Sequence, residues 1–303
     1  YAGRSFCLLI IFISSQLIIY SQISLFPVTQ IFFSEEKPKS FLSNNKESKK
    51  YKLVWADEFN YRGKPNPAKW GYETGYIRNR EKQYYTHRKE NVRVEKGNLV
   101  IEARKESVKN SAFTSKEDKN WRTNQEFSTY TSASITTKDL AEWTYGKTEV
   151  RAKLPKGRGA WSAIWMLGAN WEQVGWAKCG EIDIMENVGF DPNVIHGTVH
   201  TEAYNHTKGT QRGKQIKVEN VYEKYHIYSI EWTPEKIDFM VDGVIYNTFQ
   251  NEHKTTDEWA FDQNFHLKIN NAIGGDWGGQ KGIDDVSFPQ KMYVDWVRVY
   301  RLK

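Results

Sequence analysis

The chain has 303 residues, enough for one large domain or two small ones, and a formal net charge of +6 at pH 7. Its basic residues are scattered rather than gathered into a block, so the excess reads as general surface character and not as a nucleic-acid footprint. There is no P-loop, no dinucleotide-binding glycine fingerprint, and no CxxC or HExxH pattern.

Arg4 is followed by an uncharged stretch, residues 6–34. A basic start before an apolar run reads as a secretory signal over 1–34. The run also reaches the roughly 20 residues of a membrane helix, so an uncleaved anchor is the alternative. Either reading puts the protein outside the cytoplasm: secreted, periplasmic or at the cell surface. Cys7 lies in this run, and Cys179 is the other cysteine. Removal of the run leaves one thiol and no internal disulfide, so stability must come from core burial. Residues 35–50, EEKPKSFLSNNKESKK, read as a disordered linker. The folded domain is expected over 51–303.

Within that domain strands follow one another. KLVWADEF (52–59) alternates into an acidic turn, and NVRVEKGNLVIEARK (91–105) reads as a hairpin. Residues 106–128 are charged and read as a long surface loop. YTSASITTK (130–138), YGKTEVRAKLP (145–155) and the Trp-rich GAWSAIWMLG (159–168) follow. Then come EIDIMENVG, VIHGTVHTEAY (194–204), YHIYSIEWTPEKIDFMVDGVIYNTF (225–249), FHLKINNAIGG (265–275) and YVDWVRVYR (293–301). Aromatics make up 15% of the chain, which favours strands and stacking surfaces. Roughly a dozen strands without a helix predict an all-β, two-sheet antiparallel β-sandwich whose bent inner sheet carries a concave cleft.

EIDIME (181–186) holds three carboxylates in six positions. In a flat strand Glu181 and Asp183 share a face, and Glu186 points the other way. Met185 breaks the alternation, and one extra residue in the strand, a β-bulge, would bring Glu186 back to the face of the other two. Like charges clustered there repel, so a purely structural role is costly. Retaining glycoside hydrolysis uses such a pair, a nucleophile and an acid/base about 5–5.5 Å apart. Trp161, Trp165 and Trp176 lie nearby in the chain and suit pyranose faces, although the first two, four apart in an apolar run, also read as core. Cys179 reads as a small buried residue.

With these residues in view, the sequence resembles glycoside hydrolase family 16, in its laminarinase-like branch, over about residues 51–302. The motifs that carry the resemblance are LVWADEFN, RNREKQYYT, NVRVEKGNLVIEARK, TYGKTEVRAKLPKGRGAWSAIWMLG, CGEIDIMENVG, VIHGTVHTEAYNH, YSIEWTPEKIDFMVDG, NNAIGGDWGG and VDWVRVY. It implies a β-jelly roll and endo-hydrolysis of a β-glucan with retention. By motif position it implies Glu181 as nucleophile, Asp183 as its helper and Glu186 as acid/base. It places Trp161, Trp165 and Trp176 at the glucosyl rings and Arg78 and Asn79 on the non-reducing side. His200 is matched beside the catalytic strand, with a core histidine as its alternative, and Gln280 in a loop that reaches sugar hydroxyls or simply turns. It implies no cofactor for catalysis, and a structural Ca²⁺ held by Glu58, Gly97 and Asp295 through backbone carbonyls and the Asp295 carboxylate. Ser162 stands where the branch usually has Pro after the Trp.

The leading expectation is therefore a secreted, monomeric endo-β-1,3-glucanase acting on β-glucan, with no nucleic-acid partner. Mixed-linkage β-1,3-1,4-glucanase and galactan hydrolase are alternatives within the family. A non-catalytic β-glucan-binding protein is the alternative from another class.

Overall fold

The computed structural model describes residues 50–303. The expected signal or anchor, the linker up to residue 49 and Cys7 lie outside the described residues.

The first strands are β1 (Tyr51–Asp57), β2 (Gly71–Glu73), β3 (Gln83–Tyr85), β4 (Val92–Glu95), β5 (Asn98–Lys105), β6 (Tyr130–Ser132) and β7 (Ser134–Thr136). β8 (Gly146–Lys153), β9 (Ala160–Gly168), β10 (Glu181–Val188), β11 (Val194–His200) and β12 (Arg212–Lys217) follow. The last are β13 (His226–Trp232), β14 (Lys236–Val241), β15 (Val244–Gln250), β16 (Phe265–Ile273) and β17 (Gln290–Leu302). Short helical turns at Trp171–Val174, Gly275–Gly278 and Asp285–Ser287 correct the expectation of no helix at all.

A ten-stranded sheet runs β15-β14-β13-β8-β17-β5-β6-β3, with β1 also paired to β17 and β4 to β5. A seven-stranded sheet runs β12-β11-β10-β9-β16-β7-β2. Apart from the parallel β3–β6 pair, the ladders are antiparallel. Ile164, Met166, Ile182, Ile195, Val199, Leu267 and Ile269 of the smaller sheet share one buried cluster with Val150, Ile230, Phe239 and Val297 of the larger. Alternate residues of β9 point the other way, where Ala163, Trp165 and Leu167 form a small cluster with Cys179. That outer face of the smaller sheet is the one expected to carry the cleft.

The segment expected as one strand over 130–138 is two. β6 belongs to the large sheet and β7 to the small one, and Ala133 at the crossing is fully buried. β12 escaped sequence reading because RGKQIK is basic and largely exposed. Charged side chains of this kind suit a sheet edge, where they oppose pairing with another chain. The expected loop 106–128 folds back on itself and braces the chain next to Arg78. Arg122 donates from Nε and Nη2 to the Ile77 carbonyl at 2.9 and 2.8 Å, and Trp121 packs edge-on to Tyr76.

Candidate active site

β10 carries the acids, and its register against β9 shows how they converge. Asp183 lies opposite Trp165, Met185 opposite Ile164 and Glu186 opposite Ala163, so one residue of β10 is extra between Asp183 and Met185. Ile184 and Met185 are consecutive and both enter the core cluster. Two successive inward side chains shift the alternation by one, and Glu186 comes out on the face of Glu181 and Asp183.

Each outer carboxylate has an indole partner. Trp176 Nε1 donates to Glu181 Oε2 at 3.0 Å, and Trp161 Nε1 donates to Glu186 Oε1 at 2.9 Å. Trp176 is 38% exposed, so part of its ring is open to solvent. Trp165 is different: it is 6% exposed on the cleft floor, and its Nε1 donates to Asn270 Oδ1 at 2.8 Å. His200 pairs with Glu181 in register, and its Nε2 lies 3.3 Å from Asp183 Oδ2, near enough for an ion pair but not aligned as a hydrogen bond. Single ligand atoms of Glu181, Asp183 and His200 all lie within 4.8 Å of one another. That spacing would admit a cation, but the Trp176 indole N–H already points at Glu181.

Burial dominates the electrostatics. It pushes Glu181 up to about 7, with the neighbouring Asp183 adding to the rise and His200, Trp176 and Arg78 opposing it. Burial raises Asp183 as well. Glu186 is held well above the ordinary carboxyl range by burial and by Asp183. Both outer acids are thus held in an environment that favours their protonated form.

The other sequence-expected residues fall around this centre. Arg78 forms an ion pair with Glu73, and its guanidinium lies 5.0 Å from the Trp165 ring centroid. Lys268 bonds the same Glu73 at 2.7 Å and lies 4.6 Å from that ring. Asn79 donates from its amide to Glu81 at 3.3 Å, and its carbonyl accepts from Asp276 N at 2.9 Å. Gln280 is exposed and donates to the Asp276 carbonyl of its own loop at 3.2 Å. Ser162 donates its hydroxyl to Asn271 Oδ1 at 3.2 Å. Cys179 is fully buried, and burial together with Glu181 pushes its thiol up to about 12, so it is no nucleophile.

Residues 79–298 match the model of glycosyl hydrolases family 16. The chain belongs to that family. A β-glucanase of Rhodothermus marinus is 49% identical over 261 residues, 83% of this chain and 85% of the relative. The X-ray structure of the laminarinase from Rhodothermus marinus superposes with a TM-score of 0.75 at 49% identity, covering 84% of this chain and 98% of that one. A non-specific endo-β-1,3(4)-glucanase of the family, co-crystallised with 1,3-β-D-cellotriosyl-glucose, gives a TM-score of 0.74 at 48% identity, covering 83% of this chain and 95% of that one. The family-16 fold of this chain is thus a jelly-roll sandwich, and the chain is a glycoside hydrolase.

Some residues beside the three acids went unread in the sequence. Trp277 lies edge-on to Trp161 at 5.6 Å and to His196 at 4.9 Å, on the Glu186 side. His206 lies 4.8 Å from Trp176 on the Glu181 side. Glu73, Lys268 and Asn270 underlie Trp165. The parity of β16 could have placed Lys268 and Asn270 opposite Leu267 and Ile269, but nothing local marks Glu73 as their partner.

The three residues expected at a Ca²⁺ meet where β17 changes neighbours. β17 pairs with β5 up to Val294↔Leu99 and with β1 from Val297↔Asp57 onward. Asp295 is the residue skipped between Val294 and Trp296 in the β8 ladder. Gly97 precedes β5 and Glu58 follows β1, so the register brings all three residues to the neighbourhood of the switch, and the Asp295 carboxylate is buried there. Oxygen donors of this kind fit calcium, with Arg151 bonding the Asp295 carboxylate at 2.6 Å and Arg298 the Glu58 carboxylate at 2.7 Å.

Proposed function

We propose that the chain is an endo-β-1,3-glucanase that cleaves laminarin-type β-glucan with retention of configuration. The observation that carries this reading is the bulge of β10, which sets Glu181 and Glu186 on one cleft face with an indole donor on each. Glu181 is the nucleophile and attacks the anomeric carbon. Glu186 gives its proton to the departing glycosidic oxygen. Water, deprotonated by Glu186, then releases the sugar from Glu181, and the anomeric centre returns to its starting configuration. Asp183, two positions along the same face, raises the proton affinity of Glu181. The indoles of Trp161 and Trp176 flank the reacting sugar along β10, and Trp165, Arg78 and Asn79 form the non-reducing side.

The test is proton NMR of fresh product from laminarin, with β product expected before mutarotation. Immediate α product would reject the retaining assignment. Lichenan is the second substrate to assay, because one similar enzyme is a non-specific β-1,3(4)-glucanase. Product from laminarin with none from lichenan would confine the enzyme to β-1,3 linkages.

The same reading includes export of the domain behind residues 1–34, a monomeric enzyme without a nucleic-acid partner, and a Ca²⁺ that ties β1, β5 and β17 together. Chelation is expected to lower the melting temperature while leaving turnover at 25 °C unchanged. A melting curve indifferent to chelation and to added Ca²⁺ would remove the metal from the proposal.

A further inference from the structure

The bulge that brings Glu186 into the cleft has two partners behind it. Between Asp183↔Thr198 and Glu186↔His196, the single residue of β11 opposite Ile184 and Met185 is Gly197. A Cβ built on Gly197 would lie 2.3 Å from the Tyr246 hydroxyl and 2.8 Å from Phe239 Cδ1. The space a side chain would take is already filled, from the facing sheet, by the tip of Tyr246.

Tyr246 reaches that slot through an irregularity of its own. In the β14–β15 ladder Phe239 pairs with Asn247 and Met240 with Ile245, so Tyr246 is skipped. The skip lets two consecutive residues turn toward β11. Asn247 donates from its amide to the Gly197 carbonyl at 3.0 Å, and the Tyr246 hydroxyl is buried against Gly197. Ile245, which unbroken alternation would send inward, is 53% exposed instead. Two bulges on opposite sheets therefore face each other across one glycine.

We infer that Tyr246 is a positioning residue for the acid/base: its phenol wedges against Gly197 and holds the β10 bulge in the register that aims Glu186 into the cleft. This rests on the assignment of Glu186 made above. A side chain in place of Gly197 would push the wedge back, and loss of the phenol would leave the paired residues Ile184 and Met185 free to slip. The phenol stays protonated at working pH, because burial and the nearby charges of Glu186 and Asp183 raise it strongly. Its part is thus mechanical rather than that of a proton carrier.

A displaced acid has a kinetic signature that simple loss of stability lacks. A natural sugar leaving group needs protonation, whereas 2,4-dinitrophenolate leaves without it. Tyr246→Ala is expected to lower kcat on laminarin by about tenfold or more, since a shift of about 1 Å can cost 100-fold. The pre-steady-state release of dinitrophenolate from a β-laminaribioside should stay within about twofold, with slow turnover restored by azide, which needs no general base. Equal losses on both substrates, or no loss on either, would overturn the inference. Glu186→Ala serves as the control. If that variant lacks the same leaving-group dependence, the assignment of Glu186 fails; if it has the dependence and Tyr246→Ala lacks it, only the wedge fails. Should Tyr246→Ala not fold, Gly197→Ala and the Gly197→Ala/Tyr246→Phe pair decide. The single variant should lose laminarin activity, and deleting the hydroxyl that its methyl strikes should restore part of it. A double variant no better than the single one would reject the wedge.

Discussion

The cleft contains two groups of buried acids with opposite behaviour. Near the β2 edge, Glu73 has Arg78 and Lys268 against its carboxylate and accepts the Ser134 hydroxyl at 2.6 Å, and these cations hold it well below the ordinary carboxyl range despite burial. On β10, Glu181, Asp183 and Glu186 are as deeply placed but have indole N–H groups and one histidine, and all three are pushed up. The difference lies in the partners and not in the depth. Full cationic pairing makes an acid permanently charged and structural; partial, neutral pairing leaves an acid able to gain and lose a proton.

The largest effect expected is loss of turnover. Glu181→Ser should abolish hydrolysis, and Glu186→Ala should cost on the order of 10²–10⁴-fold in kcat on laminarin, while both still bind oligosaccharide. Substantial residual turnover in the Ser variant, read by a reducing-sugar assay, would break the comparison at its catalytic side. Glu73→Gln tests the other side. It leaves Arg78 and Lys268 buried without their anion, and a loss of about 3–5 kcal/mol is expected in urea unfolding at pH 7. In the parent, the stabilisation from Glu73 is present above its unfolded value near 4.5 and is lost as the pH falls below that. An unchanged midpoint in the Gln variant would show that the pairing contributes little.

Glu181→Gln should move stability in the reverse direction. Glu181 is raised from 4.5 to about 7, so its burial costs nothing below pH 4.5, where it is protonated folded or unfolded, and costs most above pH 7. At about 1.4 kcal/mol per tenfold change in proton affinity, the variant should gain on the order of 3 kcal/mol at pH 8 and little at pH 4. An equal gain at both pH values would mean that packing, not charge, is responsible. Smallest is Trp176→Phe, which removes a donor to the ionised Glu181. The acid limb of kcat/KM should move to higher pH by about 0.7 unit, because the carboxylate loses a hydrogen bond worth about 1 kcal/mol. A limb moved downward would contradict that role for the indole.

Much of this was legible in the chain itself. Alternation gave the sandwich, because residues such as Ile164 and Ile182 recur at period two on one face. The break at Met185 was visible because two apolar residues, Ile184 and Met185, interrupt an acidic face. What the sequence hid was set by residues far apart in it. Nothing near Ala133 announces a change of sheet, since Tyr130–Thr136 reads as one run of β-formers. Arg78 reads as a cleft residue, yet its ion pair with Glu73 is fixed by a turn whose geometry appears only on folding. Gly197 reads as one small residue in HGTVH, and the reason for it sits 49 positions later, at Tyr246.

The place of β17 bears on how the molecule comes to exist. This strand, at the end of the described chain, is hydrogen-bonded along its length to β1, β5 and β8. While a ribosome is still adding residues before Gln290, the larger layer lacks its middle and the first strand lacks its mate. A nascent polypeptide in that condition cannot close its larger sheet until Gln290–Leu302 has been made, so the layer that backs the catalytic sheet is sealed by its most central strand and not by its first.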